Sequence, residues 1–111
     1  MIVALGDISA QVPHLDEVRQ VMRDTQQRVR EEPGCVSYVF AEALDDPGHF
    51  VVMQEWLDHA ALERHYRSEA FADYQIAIEP LLVRGTELRI SETRQTVRPV
   101  ADAGERPQLD E

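Results

Sequence analysis

His49–Phe71 reads HFVVMQEWLDHAALERHYRSEAF, and the rest of the chain can be laid out around it. His49 to Trp56 is a run of bulky β-formers without Gly or Pro. The two-residue period puts Phe50, Val52, Gln54 and Trp56 on one face and Val51, Met53 and Glu55 on the other. Neither set is cleanly polar, so the strand is expected to be covered on both sides over most of its length. Asp58 suits an N-cap, because its carboxylate can accept from the free N–H groups of a helix opening at His59. Ala61, Leu62, His65 and Tyr66 then share one helical face, which points His65 inward or at a cleft edge. Ser68 caps a further helix whose apolar stripe is Phe71, Tyr74 and Ile78.

Upstream, Ile2 to about Gln11 reads as a strand, apolar on both faces through Leu5. Gly6 marks either a bulge or a close backbone approach. Asp7 beside it is a solvated rim residue or a site residue. Leu15, Val18, Met22, Thr25 and Val29 recur every three or four residues, giving a helix that Pro33 and Gly34 terminate. Cys35 to Leu44 is a second strand, closed by the turn Asp45-Asp46-Pro47-Gly48. A four-residue loop would set Leu44 opposite His49, pair Phe40 with Met53 and Tyr38 with Glu55, and let the last two hydrogen-bond. A one-residue slip would instead place Tyr38 on the face of Trp56. The third helix extends to about Leu82. Val83 to Thr93 reads as an edge strand in which Leu88 and Ile90 alternate with Glu87 and Arg89.

Strand, helix, strand, strand, two helices, strand is an α+β arrangement: a ferredoxin-like split βαβ with a four-stranded antiparallel sheet. Its helices can cover only one face of that sheet. Since both faces carry apolar residues, the second is expected to close against another copy of the chain, as a homodimer. Residues 1–97 form the domain. Residues 98–111, with Pro99, Gly104 and Pro107 among Asp, Glu, Ala and Arg, read as an acidic tail or an arm ordered by a partner subunit.

The formal charge of −10 over 111 residues argues against nucleic acid or an anionic membrane as partner. Cys35 is the only cysteine, which leaves no disulfide framework or zinc cluster and fits a cytoplasmic setting. There is no apolar run of membrane-spanning length and no basic leader. Gly-rich phosphate loops, a GxSxG turn and His-Glu metal helices are all missing, so no cofactor is expected. What remains is a pocket between sheet and helices. Trp56, Phe71, Tyr74 and Phe40 are its aromatic lining, and His65, Tyr38 and Glu55 its polar candidates.

The pieces EPGCVSY (32–38), DDPG (45–48), FVVMQEW (50–56) and LERHYRSEAF (62–71), at these spacings, resemble the antibiotic biosynthesis monooxygenase family of dimeric α+β barrels. The resemblance runs to about Val97. It implies the same fold and dimer, and action with O2 on electron-rich aromatic or quinol-like molecules without metal or flavin. In that chemistry His65 would be the general base, Tyr38 a donor to the substrate oxygen, and Trp56 either a core anchor or a substrate platform. A haem-degrading branch of the superfamily is not matched: its asparagine, tryptophan and iron-ligating histidine correspond to Asp7, His65 and Gln75. Two other readings stand beside the monooxygenase: a proton-transfer enzyme on a small keto or enol compound, and a non-catalytic dimer that binds a small apolar molecule.

Overall fold

The computed structural model describes residues 1–93. The expected acidic tail at 98–111 lies outside the described residues. The elements are β1 (Ile2–Ser9), α1 (Leu15–Val29), β2 (Cys35–Glu42), β3 (His49–Trp56), α2 (His59–Tyr66), α3 (Glu69–Ile78) and β4 (Glu87–Glu92), with short 3-10 turns before α1 and after α3. The sheet order is β2-β3-β1-β4, with every neighbouring pair antiparallel. This is the α+β ferredoxin-like fold.

Local chemistry accounts for the helix starts. Asp58 accepts from the Ala61 N–H at 2.9 Å, and Ser68 Oγ accepts from the Phe71 N–H at 3.1 Å. The break between α2 and α3 is therefore made by a second cap, which satisfies donors that a new helix start would otherwise leave free. Helix α1 buries Val18, Met22, Thr25 and Val29, the stripe its periodicity predicts.

Register decides which side chains meet. Ile2, Ala4, Gly6 and Ile8 of β1 stand opposite Trp56, Gln54, Val52 and Phe50 of β3, and this face lies under the helices. Gly6 makes no bulge. It is a close approach, because a Cβ there would sit 2.8 Å from Val52 Cγ1 and 3.1 Å from Leu88 Cδ1. In the β2–β3 hairpin the Ala43 N–H donates to the His49 carbonyl, so five residues form the loop, and Tyr38 pairs with Gln54 and Phe40 with Val52. The four-residue loop expected above is thus one residue short. Tyr38 lies on the Trp56 face, and Glu55 points to the opposite one. A bulge at Val36 lets Cys35 still pair with Trp56.

The outer edge of β2 is occupied by α1 side chains: Gln26 Oε1 accepts from the Phe40 N–H, and Arg30 Nε donates to the Tyr38 carbonyl. These bonds close a row of backbone groups that would otherwise invite a foreign strand. The final strand begins at Glu87, not Val83. Val83 instead bonds the Ser9 carbonyl, and the next residues cross the sheet end as a loop.

On the face away from the helices, Val3, Leu5, Val39, Ala41, Val51 and Met53 form an apolar area, with Val39 36% and Met53 42% exposed. No described helix covers it.

Gly34 joins the β2 entrance to α2. It has φ +82° and a Cβ there would meet Ala61 Cβ at 2.5 Å. Both strain and overlap oppose a side chain at this point. Gly34→Ala is expected to cost about 2 kcal/mol or more, and to lower the melting temperature by roughly 10 °C in a thermal scan.

Candidate functional site

Between α3 and the sheet lies a cavity of about 540 Å³. Its sheet side is made by Ile8, Tyr38, Phe40, Val52, Gln54 and Leu88, and its helix side by Tyr66, Phe71, Tyr74 and Ile78. The rim is Gln75, Glu79 and the loop from Leu82 to Thr86. That loop is anchored by the Gln11 amide to the Leu82 carbonyl at 3.0 Å and by Arg84 to Ser9 Oγ at 2.6 Å.

Of the residues expected from sequence, Tyr38, Phe40, Phe71 and Tyr74 meet at this cavity. Phe40 and Tyr74 lie 5.6 Å apart between ring centroids, and Tyr38 meets Phe40 edge-on at 5.5 Å. Trp56 and His65 do not form the lining; they are the layer beneath it. Both are fully buried, with the imidazole stacked on the indole at 4.8 Å and 28°. Tyr38 at 5.5 Å, Phe71 at 5.0 Å and Tyr66 at 5.8 Å complete the ring of aromatics around His65. Glu55 is not at the site. It accepts from Ser37 Oγ at 2.7 Å on the other face of the sheet, because the shifted register reverses its direction relative to Tyr38.

Two polar residues at the centre were not singled out from sequence. Gln54 is 4% exposed, and its Oε1 accepts from Trp56 Nε1 at 3.0 Å. With that oxygen committed, what Gln54 has left for the cavity is an N–H donor. Its signal in the sequence was a single amide on a strand face otherwise filled by Phe50, Val52 and Trp56. Glu32 is the second: its Oε1 lies 3.0 Å from His65 Nδ1. No local pattern announces that pairing, since the two residues are 33 positions apart.

Burial decides how these groups ionise. Removal from water pushes the Tyr38 phenol well above its ordinary range, with Tyr74 and Glu32 adding to the effect, and burial does the same to Tyr74. Both are therefore neutral O–H groups at physiological pH, able to donate. Burial lowers the His65 pKa, and the hydrogen bond and charge of Glu32 oppose that shift without reversing it. Burial likewise raises the Cys35 thiol, which suits a packed residue better than a nucleophile. Among the described residues, no three His, Cys, Asp or Glu side chains converge as a metal site, and no helix is long and apolar enough to cross a membrane.

The family model for antibiotic biosynthesis monooxygenases matches residues 1–76. The chain belongs to the antibiotic biosynthesis monooxygenase family. A solved antibiotic biosynthesis monooxygenase superposes with a TM-score of 0.80 at 26% identity, covering 86% of this chain and all of that one. A solved structure from Deinococcus radiodurans gives a TM-score of 0.83 at 25% identity, over 88% of this chain and 97% of that one. An uncharacterized protein of Synechocystis is 27% identical over 95 residues, which are 86% of this chain and 65% of the relative. The chain thus spans just under two thirds of that protein's length. The match to the monooxygenase family model stops within α3, so the rim residues Glu79 and Leu82 to Thr86 lie beyond it.

The lowered His65 pKa ties stability to pH. The unfolded imidazole titrates near 6.5 while the folded one resists protonation, so the contribution is complete above that pH and is lost as pH falls through the folded value. Denaturant titrations are expected to show stability declining from pH 7 towards 5, with a smaller decline in His65→Asn; equal slopes would contradict the assignment.

Proposed function

We propose that the protein is a monooxygenase that binds a flat phenol or quinol-like molecule in the aromatic cavity and oxidises it with O2. The observation that carries this reading is the set of donors on aromatic walls: the Tyr38 and Tyr74 hydroxyls and the Gln54 amide, all largely screened from water. Family membership supports the reaction class. A planar ring stacks against Phe40, Phe71 and Tyr74, and a developing phenolate is held by the neutral donors without the competition water would offer. The ring is the only reductant and gives up four electrons: its O–H and one C–H bond break, one oxygen atom becomes a new ring carbonyl so that the product is a quinone, and the other leaves as water with the two hydrogens. No cofactor is then required.

The position of His65 one ring behind the lining favours a second reading, a protein that binds such molecules without turning them over. Oxygen uptake above the autoxidation background, with dihydroxynaphthalenes as a substrate panel, distinguishes the two. Tyr38→Phe is expected to lower that uptake roughly 100-fold while the fold survives, as for loss of one anion-stabilising donor. Tight binding without uptake would leave only the binding role, and turnover under anaerobic conditions would point to proton transfer instead.

The active form in this proposal is a homodimer in which the open apolar sheet face packs on its copy. Val3, Leu5, Val39, Val51 and Met53 supply the contact, and the ion cluster of Asp7, His49 and Arg89 borders it. Met53→Asp is expected to shift sedimentation to a single subunit, since a buried charge without a partner opposes association. Unchanged dimer sedimentation in that variant, or a single subunit in the unmodified protein, would rule out this face.

A further inference from the structure

The cluster beneath the cavity contains two polar atoms that are buried without a hydrogen-bond partner among the described residues: His65 Nε2 and Glu32 Oε2. Both belong to one pair. Buried polar atoms are rarely left unpaired, so a pair that leaves two calls for an explanation beyond packing.

The geometry limits what His65 can be. A carboxylate only accepts, so the contact between Glu32 Oε1 and His65 Nδ1 requires the proton on Nδ1. In a neutral imidazole the other nitrogen then carries a lone pair. A half-turn of the ring would keep the stack on Trp56 but break the bond to Glu32, so the carboxylate is what selects this orientation. Tyr38, Tyr66 and Phe71 around the ring also line the cavity, so the imidazole and the cavity share one layer of rings as their common wall. Tyr66 is the most exposed part of that layer, at 37%, and is the last residue of α2.

We propose that Glu32 is the positioning residue of this site: it commits His65 to the tautomer protonated on Nδ1, so that Nε2 takes the proton of a substrate hydroxyl entering between Phe71 and Tyr66. This rests on reading the cavity as the place where a phenol is deprotonated. In the step, the substrate O–H bond breaks and an Nε2–H bond forms. The products are a phenolate facing the Tyr38 and Gln54 donors and an imidazolium paired with the Glu32 carboxylate. The carboxylate thus has two tasks, orienting the base and stabilising its charged form. The ionisable groups around the imidazole are Glu32 from the turn after α1, Tyr38 from β2 and Tyr66 from α2; Trp56 and Phe71 contribute none.

Imidazole nitrogen NMR on the full chain, with naphthol as the probe, tests this directly. At neutral pH His65 should show a protonated Nδ1 and a bare Nε2, and naphthol should move the Nε2 resonance towards the hydrogen-bonded range. Glu32→Leu should redistribute the proton towards Nε2. It should also lower kcat for a phenol by roughly 10- to 100-fold with little change in KM, while Glu32→Gln, which keeps an acceptor oxygen, retains the tautomer and part of the rate. A proton on Nε2 in the unmodified protein would overturn the proposal. So would a tautomer indifferent to Glu32→Leu, or an Nε2 resonance that stays still while naphthol shifts the Tyr74 ring signals. If naphthol moves Nε2 but no phenol is oxidised, the oxygenase reading fails and the role of Glu32 stands.

Discussion

The structure depends on the stack of His65 against Trp56. The indole is the last side chain of β3 and the imidazole lies near the end of α2, so this contact ties α2 to the strand that precedes it. Gln54 binds the indole N–H from two residues back on the same face. Glu32 binds the imidazole from the turn that leads into β2. The consecutive elements β3 and α2 and the more distant turn before β2 are thereby joined through two ring systems. The cost of burying a histidine is offset in part by the carboxylate beside it, whose pull on the imidazole proton acts against desolvation. Gly34 serves the same junction, as only a residue without a Cβ lets this turn lie against Ala61.

From that pinned corner the roof runs outward as α3, and the space between it and the sheet is not filled. Tyr74 and Phe71 reach down, Tyr38 and Phe40 reach up, and the loop before β4 closes one side. A core filled with branched aliphatic residues would collapse such a gap, because interiors pack to crystal-like density. Stiff aromatic rings propped on one another hold it open more readily. The same rings keep the polar groups at its edge neutral, since burial penalises each charged form. The sheet and helix walls of the cavity carry no charged side chain, Glu79 and Arg84 standing at its rim, in a protein with a formal charge of −10. The acidity belongs to the surface and has no counterpart among the sheet-side residues of the cavity.

The single sheet carries apolar residues on both sides and uses them differently. The helix side is packed and hollowed; the other side is left level, with its ionic groups at one border. This asymmetry follows from the order of elements, because the helices of a split βαβ unit all return over the same face.

The sequence by itself determined the features that are settled within a few residues of chain. The bounds of β3, the caps at Asp58 and Ser68, the stripe of α1 and the stop at Pro33-Gly34 all arise from local hydrogen bonding and local periodicity. So does the inward direction of His65, because a helical face is a property of spacing. That Phe71 and Tyr74 share one stripe of α3 also followed from periodicity, whereas the side of the sheet on which Tyr38 and Phe40 meet them hung on the hairpin register. The hairpin register did not follow. A loop rich in Asp, Pro and Gly is compatible with four or five residues, and with a side-chain period of two that single residue moved Tyr38 to the Trp56 face and Glu55 away from it. Nor did the spacing of His65 show that it would stop one ring short of the cavity, or that Glu32 would be its partner. Those facts depend on how rings stack and which turns touch across the fold, and only packing in three dimensions decides that.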